Sequence, residues 1–350
     1  MIGATVSLPR VFVCGYPGEI GGANTELWHT VKLWRGGGLD VTMIPTWKAD
    51  PKWHARLANI GCRTVESEPG QLNRVPGLAG GTVVSMCNSK FLAAAEAFRR
   101  LGCHIVWVGC MNWLFPEERL HYRKCGPFDR HVFQSRYQQE QLTPQLRRFG
   151  FQESQGQVIR GAMDLDEFPF RPLAHGEGEV FTVGRISRAA ADKFSPRTWA
   201  VYAKVPHPLR VRVLGWAAEV EARLGPPPRW AACFPPGSQS PQVFLAGLHA
   251  MVHAGAAAVE NWPRVGLEAM AAGVAVVADD RGGWSEMIRH GQTGYLCGSD
   301  DELAHYTARL AYDRQHRIEM IHRARHVLET ELADPHAIWS QWKQLLEGLS

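Results

Sequence analysis

Residues 259–280 read VENWPRVGLEAMAAGVAVVADD and follow the short apolar run Met251-Val252-His253. That run has the length of a strand, residues 254–264 form a loop, residues 265–272 a helix closed by Gly273, and residues 274–278 a second apolar strand. Strand, loop, helix and strand in succession make one unit of a parallel sheet, in which ligands bind beyond the carboxyl ends of the strands. Glu260 then lies in the loop and Glu268 near the first helical turn, so both carboxylates can face one crevice. A carboxylate placed there can accept paired hydrogen bonds from vicinal hydroxyls, such as those of a ribose or a hexose, and a helix amino end tolerates its charge. The same spacing also describes two solvated glutamates flanking a loop, so the surrounding residues have to decide.

The chain has 350 residues, which suits two domains of ordinary size. Hydrophobic residues make up 45% and charged residues 21%, enough for a sizeable core and against general disorder. Thirty-eight Lys and Arg against 34 Asp and Glu leave a net charge of +4, without the basic stripe of a nucleic-acid binder, so no nucleic-acid partner is expected. No run of 18 apolar residues exists, and the apolar start lacks the basic lead of a signal peptide; a cytoplasmic location is expected. The eight cysteines show no C-x-x-C spacing and several fall in apolar strand patterns, which predicts reduced core thiols. Neither they nor the 15 histidines have metal-ligand spacing, and no metal is expected.

The amino-terminal half alternates strands and helices. Strands are expected at residues 11–14, 40–44, 82–86, 104–108, 131–134 and 158–159, with helices at 23–34, 90–100 and 137–148. This alternation predicts a parallel, doubly wound sheet. Residues 15–22, GYPGEIGG, lack the G-x-G-x-x-G spacing of a dinucleotide loop, which disfavours a nicotinamide oxidoreductase. Glycines ahead of a helix still let a diphosphate or a sugar approach backbone N–H groups. Asp164-Leu165-Asp166 has the form of a D-x-D metal motif, but a helix-starting turn is the better account of it, and residues 169–178 suit a hinge.

In the second half a strand at residues 180–183 runs into Gly184-Arg185-Ile186-Ser187-Arg188, with Lys193 further on. A diphosphate leaving group develops negative charge as its bond to sugar breaks, and preorganised Arg and Lys in a cleft stabilise that charge. Strands at 211–214 and 230–234 follow. Arg281-Gly282-Gly283-Trp284-Ser285-Glu286 carries glycines read first as turn makers, and residues 338–346 form a final amphipathic helix.

The E-x7-E spacing of Glu260 and Glu268, followed by Ala269-Met270-Ala271-Ala272-Gly273 and an apolar strand, resembles the motif of retaining glycosyltransferases of the GT-B fold, in particular glycosyltransferase family 4. The resemblance extends to Gly282-Gly283 and Glu286, to residues 158–168, to Arg185 and Lys193, and in the first 150 residues to the Gly21-Gly22-Ala23 turn. It implies two Rossmann-like doubly wound parallel-sheet domains facing a central cleft. Residues 1–168 would bind the acceptor, residues 169–335 the donor, and the helix in 336–350 would cross back to the first domain.

By the same resemblance Glu268 would hold the nucleotide ribose, Glu260 the transferred sugar, and Arg185 and Lys193 the diphosphate. Gly21, Gly22, Val265 and Gly266 would contribute to donor binding. Lys193 lies eight residues after Arg185, about three later than the family pattern, and Phe194 replaces the glycine after it, so Arg188 is an alternative partner for the diphosphate. The strand at 104–108 is followed by Gly109-Cys110-Met111-Asn112 where many relatives carry a histidine, which leaves Asn112 as a candidate sugar contact. The implied reaction moves a sugar from a nucleotide-diphosphate sugar to an acceptor hydroxyl with retention, with no cofactor beyond that substrate and no metal. The acceptor class stays open among sugars, small molecules and lipid-linked acceptors, the last compatible with peripheral membrane contact. A GT-B sugar-nucleotide epimerase and a non-catalytic carbohydrate-binding protein with a decayed site are the remaining alternatives.

Overall fold

The computed structural model describes residues 10–18, 21–46, 49–176, 178–255 and 257–349. The apolar start at 1–9, Glu19 and Ile20 of the glycine-rich loop, Ala256 ahead of Glu260, and the last residue lie outside the described residues. The chain divides into two compact units, one of Met1–Met163 with Pro335–Ser350 and one of Asp164–Asp334.

The first unit contains β1 Val11–Cys14, β2 Val41–Ile44, β3 Arg63–Thr64, β4 Thr82–Met86, β5 His104–Val108, β6 Arg130–Phe133 and β7 Gly156–Val158. Among the described residues they form a seven-stranded sheet in the order β3-β2-β1-β4-β5-β6-β7, with every pairing parallel. Parallel strands need helical crossovers, and the crossovers cover both faces; the strands are therefore apolar without alternation. β1 shows it directly: Val11 and Val13 pack into one apolar cluster and Phe12 and Cys14 into another. The helix Gly22–Gly36 joins the first cluster, where the last helix, Pro335–Glu347, also packs. Trp34 and Trp342 meet edge to face with ring centroids 4.8 Å apart, a geometry worth about 1 kcal/mol beyond area burial. A Cβ at Gly37 would lie 2.4 Å from the Trp339 ring, so this glycine admits the helix.

The second unit contains β8 Phe181–Ile186, β9 Leu209–Leu214, β10 Ala231–Phe234, β11 Ala250–His253, β12 Ala275–Asp279 and β13 Tyr295–Cys297. Their order is β10-β9-β8-β11-β12-β13, again parallel throughout. One expectation is corrected here. β8 runs from Phe181 to Ile186, past the strand end expected at residue 183, so Arg185 is itself a strand residue, paired opposite Val213. Asp164 is followed by the short turn Leu165–Glu167 and accepts a hydrogen bond from Asp166 N–H at 3.1 Å, the helix-starting turn preferred above to a metal motif. Among the described residues no helix is long and apolar enough to cross a membrane.

Candidate functional site

Strand order reverses in the second unit between β8 and β11, which are neighbours in the sheet with Met251 opposite Gly184. At such a switch point the loops leaving the two carboxyl ends diverge and open a crevice. The loops in question are residues 187–197 and 254–263, the ones that carry Lys193 and Glu260.

Hydrogen bonds stitch these loops together. Arg185 donates through Nη1 to the Ala254 carbonyl at 2.7 Å and through Nη2 to the Lys193 carbonyl. Ala258 N–H donates to the Asp192 carbonyl at 3.2 Å, and Lys193 Nζ donates to Glu260 Oε1 at 2.9 Å. Arg185 has no exposed surface, and its guanidinium lies 4.9 Å from the Phe194 ring centroid. The two cations assigned to a diphosphate therefore differ in kind: Arg185 is committed to main-chain carbonyls, whereas Lys193 presents its charge beside Glu260. Arg188 is exposed on the same loop, and Gly215, at φ +100°, lets that loop pass; a Cβ there would stand 1.9 Å from the Ser187 carbonyl oxygen.

The loop bearing Glu260 is fixed from its other side. Gly283 N–H donates to the Glu260 carbonyl at 2.9 Å. A Cβ on Gly283 would fall 1.7 Å from the Asn261 carbonyl oxygen, and one on Gly282, at φ +62°, 2.4 Å from that of Glu260. These glycines are turn makers whose turn abuts the Glu260 main chain. Gly266 has a packing reason of its own, since a Cβ would lie 2.5 Å from the Trp284 ring, while Val265 beside it is half-buried.

The two motif glutamates have opposite electrostatics. Burial alone would raise the Glu260 carboxyl, but the charges of Lys193 and Arg185 hold it below its ordinary value. Glu268, in the second turn of the helix Arg264–Ala272, is 7% exposed and raised by burial, which Arg264 opposes only in part. No hydrogen bond joins the Glu268 carboxylate to another described residue. Its oxygens are nevertheless not among the fully buried unpaired polar atoms of the described residues, so the carboxylate keeps surface that a ligand can reach.

His253 and Asp279 carry no motif in the sequence. They end the adjacent strands β11 and β12, and His253 Nδ1 lies 3.2 Å from Asp279 Oδ1. The His253 Nε2 is 3.3 Å from Arg185 Nη2 and 3.9 Å from Glu260 Oε1. Burial and then Arg185 lower the His253 pKa against the pull of Asp279 and Glu260, so the imidazole is neutral. The available signal was positional: each is a polar residue closing an apolar strand at the ligand-binding edge.

Gly21, Gly22 and Asn112 belong to the other unit. Gly21 precedes the helix Gly22–Gly36 at φ +97°, a conformation that needs glycine, and a Cβ there would meet nothing within 4 Å. Asn112 is half-buried on the segment after β5. Among the described residues no group of three or more His, Cys, Asp or Glu could hold a metal ion.

Residues 233–327, a stretch that holds both Glu260 and Glu268, match the family model described as Glycosyl transferases group 1. No curated protein matches the chain by sequence. Solved structures match it over nearly its whole length. HepE from Anabaena, in complex with UDP-glucose, is 18% identical with a TM-score of 0.75, covering 97% of this chain and 100% of that one. The chain has the GT-B fold. Sucrose-phosphate synthase from Thermosynechococcus elongatus is 16% identical with a TM-score of 0.73, covering 97% and 99%. A variant of TarM from S. aureus, in complex with Fondaparinux, alpha-GlcNAc-glycerol and UDP, is 11% identical with a TM-score of 0.75, covering 97% and 100%.

Proposed function

We propose that the chain is a retaining glycosyltransferase of the family 4 type, which moves a sugar from a nucleotide-diphosphate sugar to an acceptor hydroxyl without a metal ion. The observation that carries this reading is the ion pair between Lys193 and Glu260, set at the switch point of the second sheet with Glu268 on the helix that follows. The family match of residues 233–327 and the GT-B fold support it.

In this reading Glu268 accepts hydrogen bonds from the ribose hydroxyls and Glu260 from hydroxyls of the transferred sugar. Lys193 neutralises the charge that develops on the diphosphate, with Arg188 as the second exposed cation and Arg185 acting through the main chain of Lys193. The acceptor oxygen attacks the anomeric carbon on the face the diphosphate leaves. The bond from that carbon to the phosphate oxygen breaks as the new one forms, and the departing phosphate takes the acceptor proton. No protein base is required, and catalysis rests on positioning and preorganised charge. HepE and TarM were solved with UDP bound, which makes UDP the first nucleotide to test. The test is proton NMR of the product formed from an α-linked sugar nucleotide in chelator-treated buffer: an α-linked product supports the reading, and a β-linked product or dependence on added divalent metal contradicts it.

A further inference from the structure

We infer that His253 and Asp279 are positioning residues for this site, a role that rests on the function proposed above. Arg185 can only donate hydrogen bonds, so the His253 Nε2 that faces its Nη2 at 3.3 Å has to be the acceptor. The proton of the neutral ring then sits on Nδ1, where Asp279 Oδ1 accepts it at 3.2 Å. The other oxygen of Asp279 accepts from Arg281 Nε at 2.7 Å. The loop passes so closely over Asp279 that a Cβ on Gly255 would lie 2.2 Å from Oδ2. Every hydrogen-bond role in the chain from Arg281 through Asp279 and His253 to Arg185 is thereby set, including the tautomer of the histidine.

That chain ends on the reacting groups. Arg185 holds the carbonyl of Lys193, the residue whose ammonium pairs with Glu260. If the His253 proton moved to Nε2, two donors would face one another across 3.3 Å, and Arg185 would turn away from Lys193. The groups around the ring are Arg185, Asp279, Glu260 at 3.9 Å and the Trp284 ring at 5.1 Å, and of these only Asp279 accepts from Nδ1. Partners that orient metal ligands through a second residue are typically worth about tenfold to a hundredfold in function, and an effect of the same order is expected for partners that orient Arg185.

The experiment compares wild type with Asp279→Asn, His253→Asn and His253→Gln. It reads the affinity for UDP, GDP, ADP, CDP and dTDP by calorimetry, kcat/KM for hydrolysis of a sugar nucleotide of the preferred base, and the melting temperature. Asp279→Asn keeps the shape of the side chain but permits the wrong tautomer. His253→Asn reaches Asp279 but not Arg185, whereas His253→Gln reaches Arg185. Asp279→Asn and His253→Asn are expected to lose about tenfold or more in kcat/KM while remaining folded, and His253→Gln to recover most of that loss. Equal activity in the two His253 variants, or losses that follow melting temperature alone, would overturn the inference. If His253→Asn does not fold, the loss in Asp279→Asn relative to wild type decides the question in the same way. A wild type that turns over sugar nucleotide while Asp279→Asn matches it overturns this inference alone; a folded wild type that binds none of the nucleotides overturns the function and this inference with it.

Discussion

Lys193 Nζ stands 2.9 Å from Glu260 Oε1, with the two side chains only 13% and 20% exposed. The pair joins the loop after β8 to the loop after β11, and each partner balances a charge the other would leave half-buried. Removing one partner costs about 1–3 kcal/mol because the remaining charge is stranded. Lys193→Met is therefore expected to lower the melting temperature and to reduce sugar-nucleotide turnover by about a hundredfold. Adding Glu260→Gln should restore the melting temperature and not the turnover. Calorimetric melts and initial rates of both variants check this, and full turnover in Lys193→Met would contradict it.

Glu268 should behave in the opposite way. Its pKa is raised by burial, so the stability it contributes is present below the unfolded value of 4.5 and is lost as pH rises. At neutral pH Glu268→Gln is expected to melt at the same temperature as wild type or higher, while nucleoside diphosphate binding weakens by about tenfold, one hydrogen bond to a charged acceptor. Melting and titration of one protein sample read both signs, and a large drop in melting temperature would reassign Glu268 to the fold.

Gly283 separates local strain from chemistry. A methyl group there would fall 1.7 Å from the Asn261 carbonyl oxygen, so the turn has to move away from the Glu260 loop. Gly283→Ala is expected to destabilise the protein by about 1–3 kcal/mol and to lower turnover more than Gly36→Ala, whose Cβ would meet nothing within 4 Å. Equal melting curves for the two variants would show that the turn yields freely.

Acid should unfold the protein from the histidines upward. His249 accepts from Thr182 N–H through Nδ1 at 2.8 Å and donates through Nε2 to the Ala174 carbonyl at 2.9 Å, so a proton on Nδ1 breaks the first bond. Burial lowers His249 and His121 to about 4 and His131 to about 3. The unfolded chain takes up these protons near pH 6.5, so stability falls as pH drops from there toward 4. Each histidine costs about 1.4 kcal/mol per pH unit. Glu118, raised to about 7 by burial, works the other way between pH 7 and 4.5. His131→Leu is expected to remove one histidine's share of the slope in denaturant melts between pH 6.5 and 4, and an unchanged slope would contradict the assignment.

How far the sequence can be read depends on what each residue answers to. Apolar runs buried on both faces show themselves: β1, β4 and β5 have the bounds expected of them, because nothing but burial specifies them. The helices Pro51–Asn59 and Pro116–Cys125 escape the periodicity, since each begins with a proline that reads as a breaker although it occupies the first helical turn. The two motif glutamates are legible from spacing. The burial of Arg185 is not, because the end of a strand and the start of a basic loop look alike until the partner strand is known. His253 and Asp279 become neighbours only through the pairing of β11 with β12, a contact that no spacing within either strand announces.

The most direct measurement is titration of UDP, GDP, ADP, CDP and dTDP into wild type and Glu268→Ala, with both shown to be folded. Wild type is expected to bind one nucleoside diphosphate clearly better than the others, and Glu268→Ala to lose that affinity by about tenfold or more. Equal affinity in the two proteins, or no binding by folded wild type, would contradict a donor site built on Glu268.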